Sequence, residues 1–236
     1  MARAVQILDE LARARSELGT NEIARRTGIN VSTISRILAT LAEGGLVEHV
    51  PSTGRYRLGL GVLRLATAVN HGLDIRSLAR PYLIEMASVL QETATLSVPG
   101  EHEAFTLDFV PSPLNVRSVA EIGRTSVAHA TAVGKVLLAY GGTLPAGELT
   151  AFTAHTIVDR TVLAREVALV REQGWAQALG EREADMNAAA APVLDKAGEL
   201  MAILGLQGPA ARLRPDAIEA AARLLADRAG LVSALL

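Results

Sequence analysis

The sequence predicts a small helical unit with a β-hairpin, followed by a larger α+β domain built on an antiparallel sheet. Three observations support this fold class. Helical patterns separated by glycines fill the first 45 residues. Two short β-like stretches then flank the turn PSTG at residues 51–54. From residue 93 onward, short turn-bounded β-like stretches alternate with helical ones, a pattern typical of α+β domains.

The first three predicted elements are amphipathic helices. Residues 3–18 place apolar side chains at helical spacing, and Gly19 ends that pattern. The second helix, NEIARRT, stops at Gly28, and the third spans Val31–Glu43 before the pair Gly44-Gly45. The N-cap candidates are Thr20 or Asn21 for the second helix and Asn30 or Ser32 for the third.

A predicted hairpin completes this unit. LVEHV and RYRLG read as two strands, and three helices followed by a two-stranded hairpin is the order of a winged helix-turn-helix. We assign residues 1–59 to this unit. Residues 60–72 are predicted to form a linker helix, and residues 73–236 form the second domain.

The second domain is predicted to contain six strands and four helices after a first helix that reaches about residue 91, with Pro81 inside it. The strand candidates are residues 93–99, 103–110, 115–122, 175–181, 187–195 and 199–207. The Ala run at 188–191 is ambiguous, since its propensity alone would also suit a helix. The later helix candidates are residues 129–142, 145–152, 161–174 and the segment from Asp216 onward.

Composition narrows the possible classes of protein. Half of the 236 residues are hydrophobic and 20% are charged, so a packed core is expected. The absence of cysteine excludes disulfides and thiolate sites, and no apolar run is long enough to cross a bilayer. We therefore expect a soluble cytoplasmic protein with no membrane contact. Residues 1–64 carry nine arginines against six acidic residues, whereas the remainder is acidic, which favours a polyanionic partner for the first unit.

The exposed side of the third helix has the composition of a DNA-reading surface. Its N-terminal half offers short hydroxyl side chains and one arginine, which allow close approach to a groove and bonds to phosphates or base edges. The hairpin adds two arginines suited to the DNA backbone. The DNA-binding candidates are Ser32, Thr33, Ser35, Arg36, Arg55 and Arg57. The alternative is a small helical module that contacts protein.

Several motifs together carry a resemblance to a known family. They are AVQILDEL, NEIARRTGINVSTISRILATLAEGGLVEHVPSTGRYRLG, VAHATAVGKVLLA and GWAQALGEREADMNAAAAPVLDKAGELMAILGLQGP. In their order and spacing the chain resembles IclR-type (isocitrate lyase regulator-like) bacterial transcription factors over nearly its full length. The resemblance implies a GAF/profilin-like second domain that binds a small-molecule effector. It also implies homodimers, often paired as dimers of dimers, on palindromic double-stranded operator DNA.

The resemblance also implies effector-contacting positions in the second domain. They fall on Ala132, Val133, Ala188, Gly205 and Gln207. Family members that bind small polar acids commonly have Cys or Ser at the last three positions, so the residues of this chain favour a roomier, more apolar pocket for an aromatic or larger apolar acid. Arg117 and His129 are candidates for a positive partner of that acid.

The remaining motifs favour no catalytic chemistry. Gly134-Lys135 lacks the glycine spacing of a phosphate loop, so Lys135 is expected to be a structural helix residue. The EHE at 101–103 and the GERE at 180–183 are expected to be surface charge, and no Ser-His-Asp spacing is present. We therefore expect no enzyme activity, cofactor or metal. The alternatives are a GAF/profilin-like enzyme or an interaction module, each with a winged-helix tether.

Overall fold

The computed structural model describes residues 2–14, 16–70 and 75–236. The chain divides into two compact units, residues 1–73 and 74–236. The expected end of the linker helix at residue 72 lies outside the described residues. No helix in the described ranges is long and apolar enough to cross a membrane.

The first unit has the winged helix-turn-helix order that the sequence predicts. Its helices share a core in which Ile7, Ile23, Ile34 and Leu38 are fully buried. The two hairpin strands pair antiparallel, with Val47 opposite Leu58. The elements are α1 (Ala2–Ala14), α2 (Thr20–Thr27), α3 (Val31–Glu43), β1 (Val47–Val50), β2 (Arg55–Leu58) and α4 (Gly61–Asn70).

The helix caps agree with the sequence at α3 and differ at α2. The Asn30 side chain accepts a hydrogen bond from the Thr33 amide at 2.8 Å, so Asn30 is the N-cap of α3. At α2 the N-cap is Gly19, with no side-chain bond, because the helix already begins at Thr20. The expectation of Thr20 or Asn21 as that cap is wrong. Gly28 ends α2 at φ 71, a left-handed conformation that suits glycine.

A backbone contact joins the start of α4 to the end of α3. The Gly61 amide donates to the Gly45 carbonyl at 2.9 Å, and the Gly59 amide donates to the Leu46 carbonyl at 2.9 Å. A Cβ atom added at Gly59 or Gly61 would lie 2.3 or 2.6 Å from the Gly45 oxygen. Only glycine permits this approach, so the two backbones are held directly together.

The second unit is a six-stranded antiparallel sheet with helices on both faces. The strand order is β5-β4-β3-β8-β7-β6. Its elements are α5 (Ile75–Leu90), β3 (Thr93–Pro99), β4 (Glu103–Val110), β5 (Thr125–Val127), α6 (Ala132–Ala139), α7 (Arg160–Gln173), β6 (Ala176–Leu179), β7 (Met186–Leu194), β8 (Leu200–Pro209) and α8 (Pro215–Ser233). This α+β architecture confirms the predicted fold class.

Alternation along the central strands assigns each face its helices. On β8, Ala202 and Leu204 belong to the core shared with α5 and α8, whereas Ile203 belongs to the core shared with α6 and α7. Successive side chains of a strand point to opposite faces. The sequences of β7 and β8 are almost continuously apolar because both faces of these strands are buried.

Two predicted elements are wrong. Residues 115–122 form no strand, because their exposed apolar residues Val116, Val119 and Ile122 recur every third residue and cannot share one strand face. Residues 145–152 form no helix. Gly147 has a φ of 92, and the Arg160 guanidinium donates to the carbonyls of Pro145 and Gly147 at 2.8 and 2.7 Å. These two carbonyls therefore accept side-chain hydrogen bonds in a loop instead of the backbone hydrogen bonds of a helix.

Candidate functional site

The polar side of α3 is open to solvent. Ser32, Ser35 and Arg36 are exposed and Thr33 is half-buried, while Ile34 on the opposite side is fully buried. The Ser32 hydroxyl donates to Asn30 Oδ1 at 3.0 Å, and the Ser35 hydroxyl donates to the Val31 carbonyl at 3.0 Å. The hydroxyls are thus folded back on the helix, and each retains acceptor capacity toward a partner.

The wing arginines have acidic neighbours. Arg55 Nη1 donates to the Glu17 carbonyl at 2.9 Å and lies 3.5 Å from Glu22 Oε2. Arg57 Nε donates to Glu48 Oε2 at 2.9 Å, and this bond raises the pKa of Arg57 and lowers the pKa of Glu48. The two guanidiniums are exposed cations held in place by intramolecular partners.

The second unit contains a cavity of about 100 Å³ on the face of the sheet that α6 also covers. Five residues expected to contact an effector line it: Ala132, Val133, Ala188, Gly205 and Gln207. They come from the start of α6 and from adjacent positions of β7 and β8. The structure therefore brings together positions that are up to 75 residues apart in the sequence.

Arg117 and His129 do not line this cavity, contrary to expectation. Arg117 is exposed on the loop before β5, where the neighbours Ser118 and Ala120 face the cavity instead. His129 lies in the turn before α6 and borders a separate cleft, where its Nε2 donates to the Thr150 carbonyl at 2.9 Å. Its ring stacks on Phe152 at a centroid distance of 5.8 Å.

Sequence reasoning missed a set of hydroxyl residues in the cavity wall, among them Thr95, Ser97 and Thr106 on β3 and β4. Thr95 pairs with Gly205 across the sheet, and a Cβ atom at Gly205 would lie 2.4 Å from Thr95 Oγ1. The Thr95 hydroxyl therefore takes the space that a side chain at position 205 would need. The alternation in TATLS, which buries both its polar and apolar residues, is the signal that could have revealed this polar wall.

Arginines stand at the rim of the cavity. Arg124 Nη2 pairs with Glu183 Oε1 at 3.0 Å, and Arg124 Nη1 donates to the Val119 carbonyl at 3.1 Å. The Arg182 guanidinium lies 3.8 Å above the Phe152 ring centroid, at cation–π distance. Arg124 thus connects the two loops that border the cavity, and it lines the cavity whereas Arg117 does not.

A buried ion pair supports the cavity wall. Lys135 Nζ lies 2.7 Å from Glu181 Oε1, with both side chains almost fully buried. The structural role expected for Lys135 is confirmed, whereas the assignment of Glu181 to surface charge is wrong, because the strand and loop around it fold over the helix. Burial raises the pKa of Glu181, and Lys135 opposes that shift. Within the described ranges no cluster of three or more His, Asp and Glu residues is placed to hold a metal ion.

Both units of the chain match known protein domains. The model of the IclR helix-turn-helix domain matches residues 1–51, and the model of the bacterial transcriptional regulator IclR C-terminal domain matches residues 67–234. The chain belongs to the IclR family. IclR proteins are ligand-responsive transcriptional regulators, so this chain is a DNA-binding regulator whose C-terminal domain responds to a small molecule.

Individual IclR proteins resemble the chain over nearly its whole length. The HTH-type transcriptional regulator XynR of Escherichia coli is 32% identical over 235 residues, which cover 97% of this chain and 93% of XynR. The HTH-type transcriptional repressor AllR of Salmonella typhimurium is 28% identical, covering 100% of this chain and 89% of AllR. These relatives carry the names of regulators, so they do not favour the alternatives of a tethered enzyme or an interaction module.

One solved structure of the family contains a ligand. It is an IclR homolog from Microbacterium hydrocarbonoxydans complexed with 4-hydroxybenzoate. The two sequences are 25% identical, and the match covers 99% of this chain and 97% of the homolog. The two structures superimpose with a TM-score of 0.83.

Proposed function

We propose that this IclR-family regulator reads operator DNA with the exposed side of α3 and anchors on the backbone with its wing. Arg36, Ser32, Thr33 and Ser35 would contact base edges and nearby phosphates, since they are the short or cationic side chains of an exposed helix face. Arg55 and Arg57 would exchange their intramolecular partners for phosphates. The observation that carries this proposal is the solvent-facing Ser-Thr-Ser-Arg surface of α3 above a fully buried opposite side.

Binding to two duplexes across a range of salt concentrations tests these roles. The duplexes are the regulator's own upstream region and a scrambled version of it. Arg36→Ala should cost about 1–3 kcal/mol on the first duplex and much less on the second. Arg55→Ala should weaken both equally and reduce the slope of log K against log salt by about 0.9.

The matched control is Arg13→Ala, which removes an arginine on α1 whose side chain is 75% exposed. It should leave both affinities close to those of the unmodified protein. Equal losses on the two duplexes for Arg36→Ala would refute its assignment to base reading. An unchanged salt slope for Arg55→Ala would refute its assignment to phosphate.

We propose further that the cavity of about 100 Å³ binds a small organic acid as effector. Its volume is of the order of the roughly 150 Å³ engineered cavity that admits benzene, so one ring or a short chain is the appropriate size. Arg124 supplies a cation, and Thr95, Ser97, Thr106 and Gln207 supply hydrogen-bonding groups. The 4-hydroxybenzoate bound to the Microbacterium homolog is an acid of this class.

A thermal-shift titration with 4-hydroxybenzoate and benzoate tests the effector site. At a concentration of 100 Kd, a ligand should stabilise the protein by about 2.7 kcal/mol, a Tm increase of roughly 5–10 °C for a domain of this size. Gln207→Ala should reduce this increase without changing DNA affinity in the absence of ligand. The control Gln173→Ala, on the exposed end of α7, should retain it. An undiminished shift in Gln207→Ala would place the ligand elsewhere.

We propose that the protein acts in the cytoplasm as a homodimer, and as a dimer of dimers on longer operators. Leu60 and Leu65 at and near the start of α4 are 80% and 53% exposed, an apolar surface that a second copy could cover. Effector binding would favour one arrangement of the paired DNA-binding units over another. Leu65→Glu should lower the oligomer mass measured by sedimentation, while Arg13→Ala should not. An unchanged mass would exclude α4 as the contact.

A further inference from the structure

Glu181, which lines the cavity, has a buried carboxylate oxygen that bonds to no other described residue. Among the described residues, four buried side-chain atoms lack a partner, and two of them, Ser97 Oγ and Glu181 Oε2, belong to residues that line this one cavity. Glu181 is 7% exposed and Ser97 is 1% exposed. An unpaired buried charged oxygen is costly, so a donor is expected to complete this site when it is occupied.

The neighbouring cations do not supply that donor in this structure. An ammonium group has three hydrogens. Lys135 Nζ donates to Glu181 Oε1 at 2.7 Å and to the Gln177 carbonyl at 3.0 Å, and Glu166 Oε2 lies 3.6 Å away as an ion-pair partner. Both hydrogen bonds of Lys135 go to other acceptors, and Glu181 Oε2 receives none from it.

The two arginines at the rim make contacts that do not involve Glu181, and each keeps N–H groups for other partners because a guanidinium has five. Arg124 is engaged with Glu183 and with the Val119 carbonyl, and Arg182 lies over the Phe152 ring. Within the described part of the chain, the contacts of these three basic residues leave Glu181 Oε2 unpaired.

The Glu181 carboxylate is also held in a fixed position. The Thr153 hydroxyl donates to the Gly180 carbonyl at 2.6 Å, and the Thr156 hydroxyl donates to the Glu181 carbonyl at 2.6 Å. The backbone is thus secured on one side, and Lys135 secures one carboxylate oxygen on the other. An acceptor held in this way loses little conformational entropy when a ligand binds, which increases its contribution to affinity.

We infer that Glu181 Oε2 accepts a hydrogen bond from the effector, and that the effector is therefore an acid that also carries a hydroxyl group. This inference rests on the proposed function of the cavity and deepens it. Arg124 would recognise the carboxylate of the ligand, while Glu181 would select a neutral donor and reject an acid of the same shape without one. A site built to bond a hydroxyl discriminates strongly against an analogue that leaves the buried acceptor unpaired.

Calorimetric titration of the full chain with two matched pairs of acids tests the inference. The pairs are 4-hydroxybenzoate with 4-methylbenzoate, and 2-hydroxypropanoate with 2-methylpropanoate. In each pair a methyl group replaces the hydroxyl at nearly constant volume. At least one hydroxy acid should bind tenfold or more tightly than its methyl counterpart, a difference of about 1.4 kcal/mol. The unmodified protein suffices for this measurement.

Glu181→Gln provides the second test. The amide oxygen should face Lys135, so its NH₂ group replaces an acceptor with a donor at the cavity, and the hydroxyl preference should fall to twofold or less. 4-Methoxybenzoate, which only accepts, should gain relative to 4-hydroxybenzoate. The matched control is Glu183→Gln, which alters an exposed carboxylate of the same rim and should retain the tenfold ratio.

The outcomes separate the inference from the proposed function beneath it. If each hydroxy acid binds with the same affinity as its methyl counterpart, the role of Glu181 is overturned, while the cavity remains a binding site for acids. Retention of the preference in Glu181→Gln would also overturn it. Failure of all four acids to bind would overturn both proposals.

Discussion

Replacing Lys135 with methionine should produce one of the largest losses of stability available in this chain. The substitution keeps the volume of a side chain that is 1% exposed and removes its charge. Glu181 then remains buried without its ammonium partner, and breaking a buried pair in this way costs about 3–5 kcal/mol. For a unit of this size the loss corresponds to a fall in Tm of roughly 6–20 °C.

The loss in Lys135→Met should depend on pH. Burial already raises the pKa of Glu181, and removing Lys135 removes the main influence that lowers it. The pKa of such a carboxyl is higher in the folded protein than in the unfolded chain, where it is about 4.3. The carboxyl therefore stabilises the folded protein at pH values below about 4.3, and this stabilisation is lost as the pH rises through the pKa of the folded state. The loss of stability in Lys135→Met, relative to the unmodified protein, should therefore be largest at neutral pH and should become smaller toward pH 4–5.

Urea denaturation of three variants at two pH values measures this effect. Lys135→Met combined with Glu181→Leu should recover most of the stability, because no buried charge remains unpaired. Glu166→Gln is the control, since that side chain is 39% exposed and its pairing should contribute less than about 1 kcal/mol. A loss below about 1 kcal/mol for Lys135→Met, or one that is the same at both pH values, would refute this reasoning.

Three further substitutions probe the geometry of single positions. Gly205→Ser should lower the free energy of unfolding, measured by urea titration, by about 1–3 kcal/mol, because the new side chain overpacks against Thr95. Adding Thr95→Ala should restore most of this stability, and no restoration would show that the clash lies elsewhere. Asn30→Ala should lower the stability of the first unit by about 1 kcal/mol and weaken operator binding, because α3 loses its cap; unchanged melting would contradict this. Asp159→Ala should lower the Tm at pH 7. Since hydrogen bonds from the Val162 and Thr161 amides hold the pKa of Asp159 below its usual value, the difference from the unmodified protein should vanish as the pH falls through that lowered value, and a constant difference would refute the assignment.

Local patterns predicted the elements that local chemistry determines. The α3 helix carries its N-cap, its apolar stripe and its terminal glycines within sixteen residues, and each of these features acts through the nearest turn of backbone. Strands β7 and β8 match the strand candidates at 187–195 and 199–207, and burial on both faces of the sheet makes the Ala run at 188–191 a strand rather than a helix. In the cavity, the positions implied by family resemblance converge because they lie at the start of α6 and on paired registers of these strands.

Long-range contacts determined what the sequence did not predict. Glu181 reads as one member of a charged surface run, and only the approach of Lys135, 46 residues earlier, makes it a buried ion. The loop at 145–152 has a helical composition, yet Arg160 binds two of its carbonyls. His129 and the cavity residues are neighbours in sequence, but the turn before α6 directs the ring into a different cleft. No periodicity within a short window encodes such partners.

The glycine contact between the end of α3 and the start of α4 has a consequence for the diversification of regulators. The contact joins the Gly45 carbonyl to the Gly61 amide, so no side chain takes part in it. Side chains that choose a DNA sequence can therefore be exchanged along α3 without altering the joint between these helices, and α4 can likewise change its outer surface. Substitutions can therefore accumulate on the outer surfaces of α3 and α4 while the backbone joint between Gly45 and Gly61 is inherited intact.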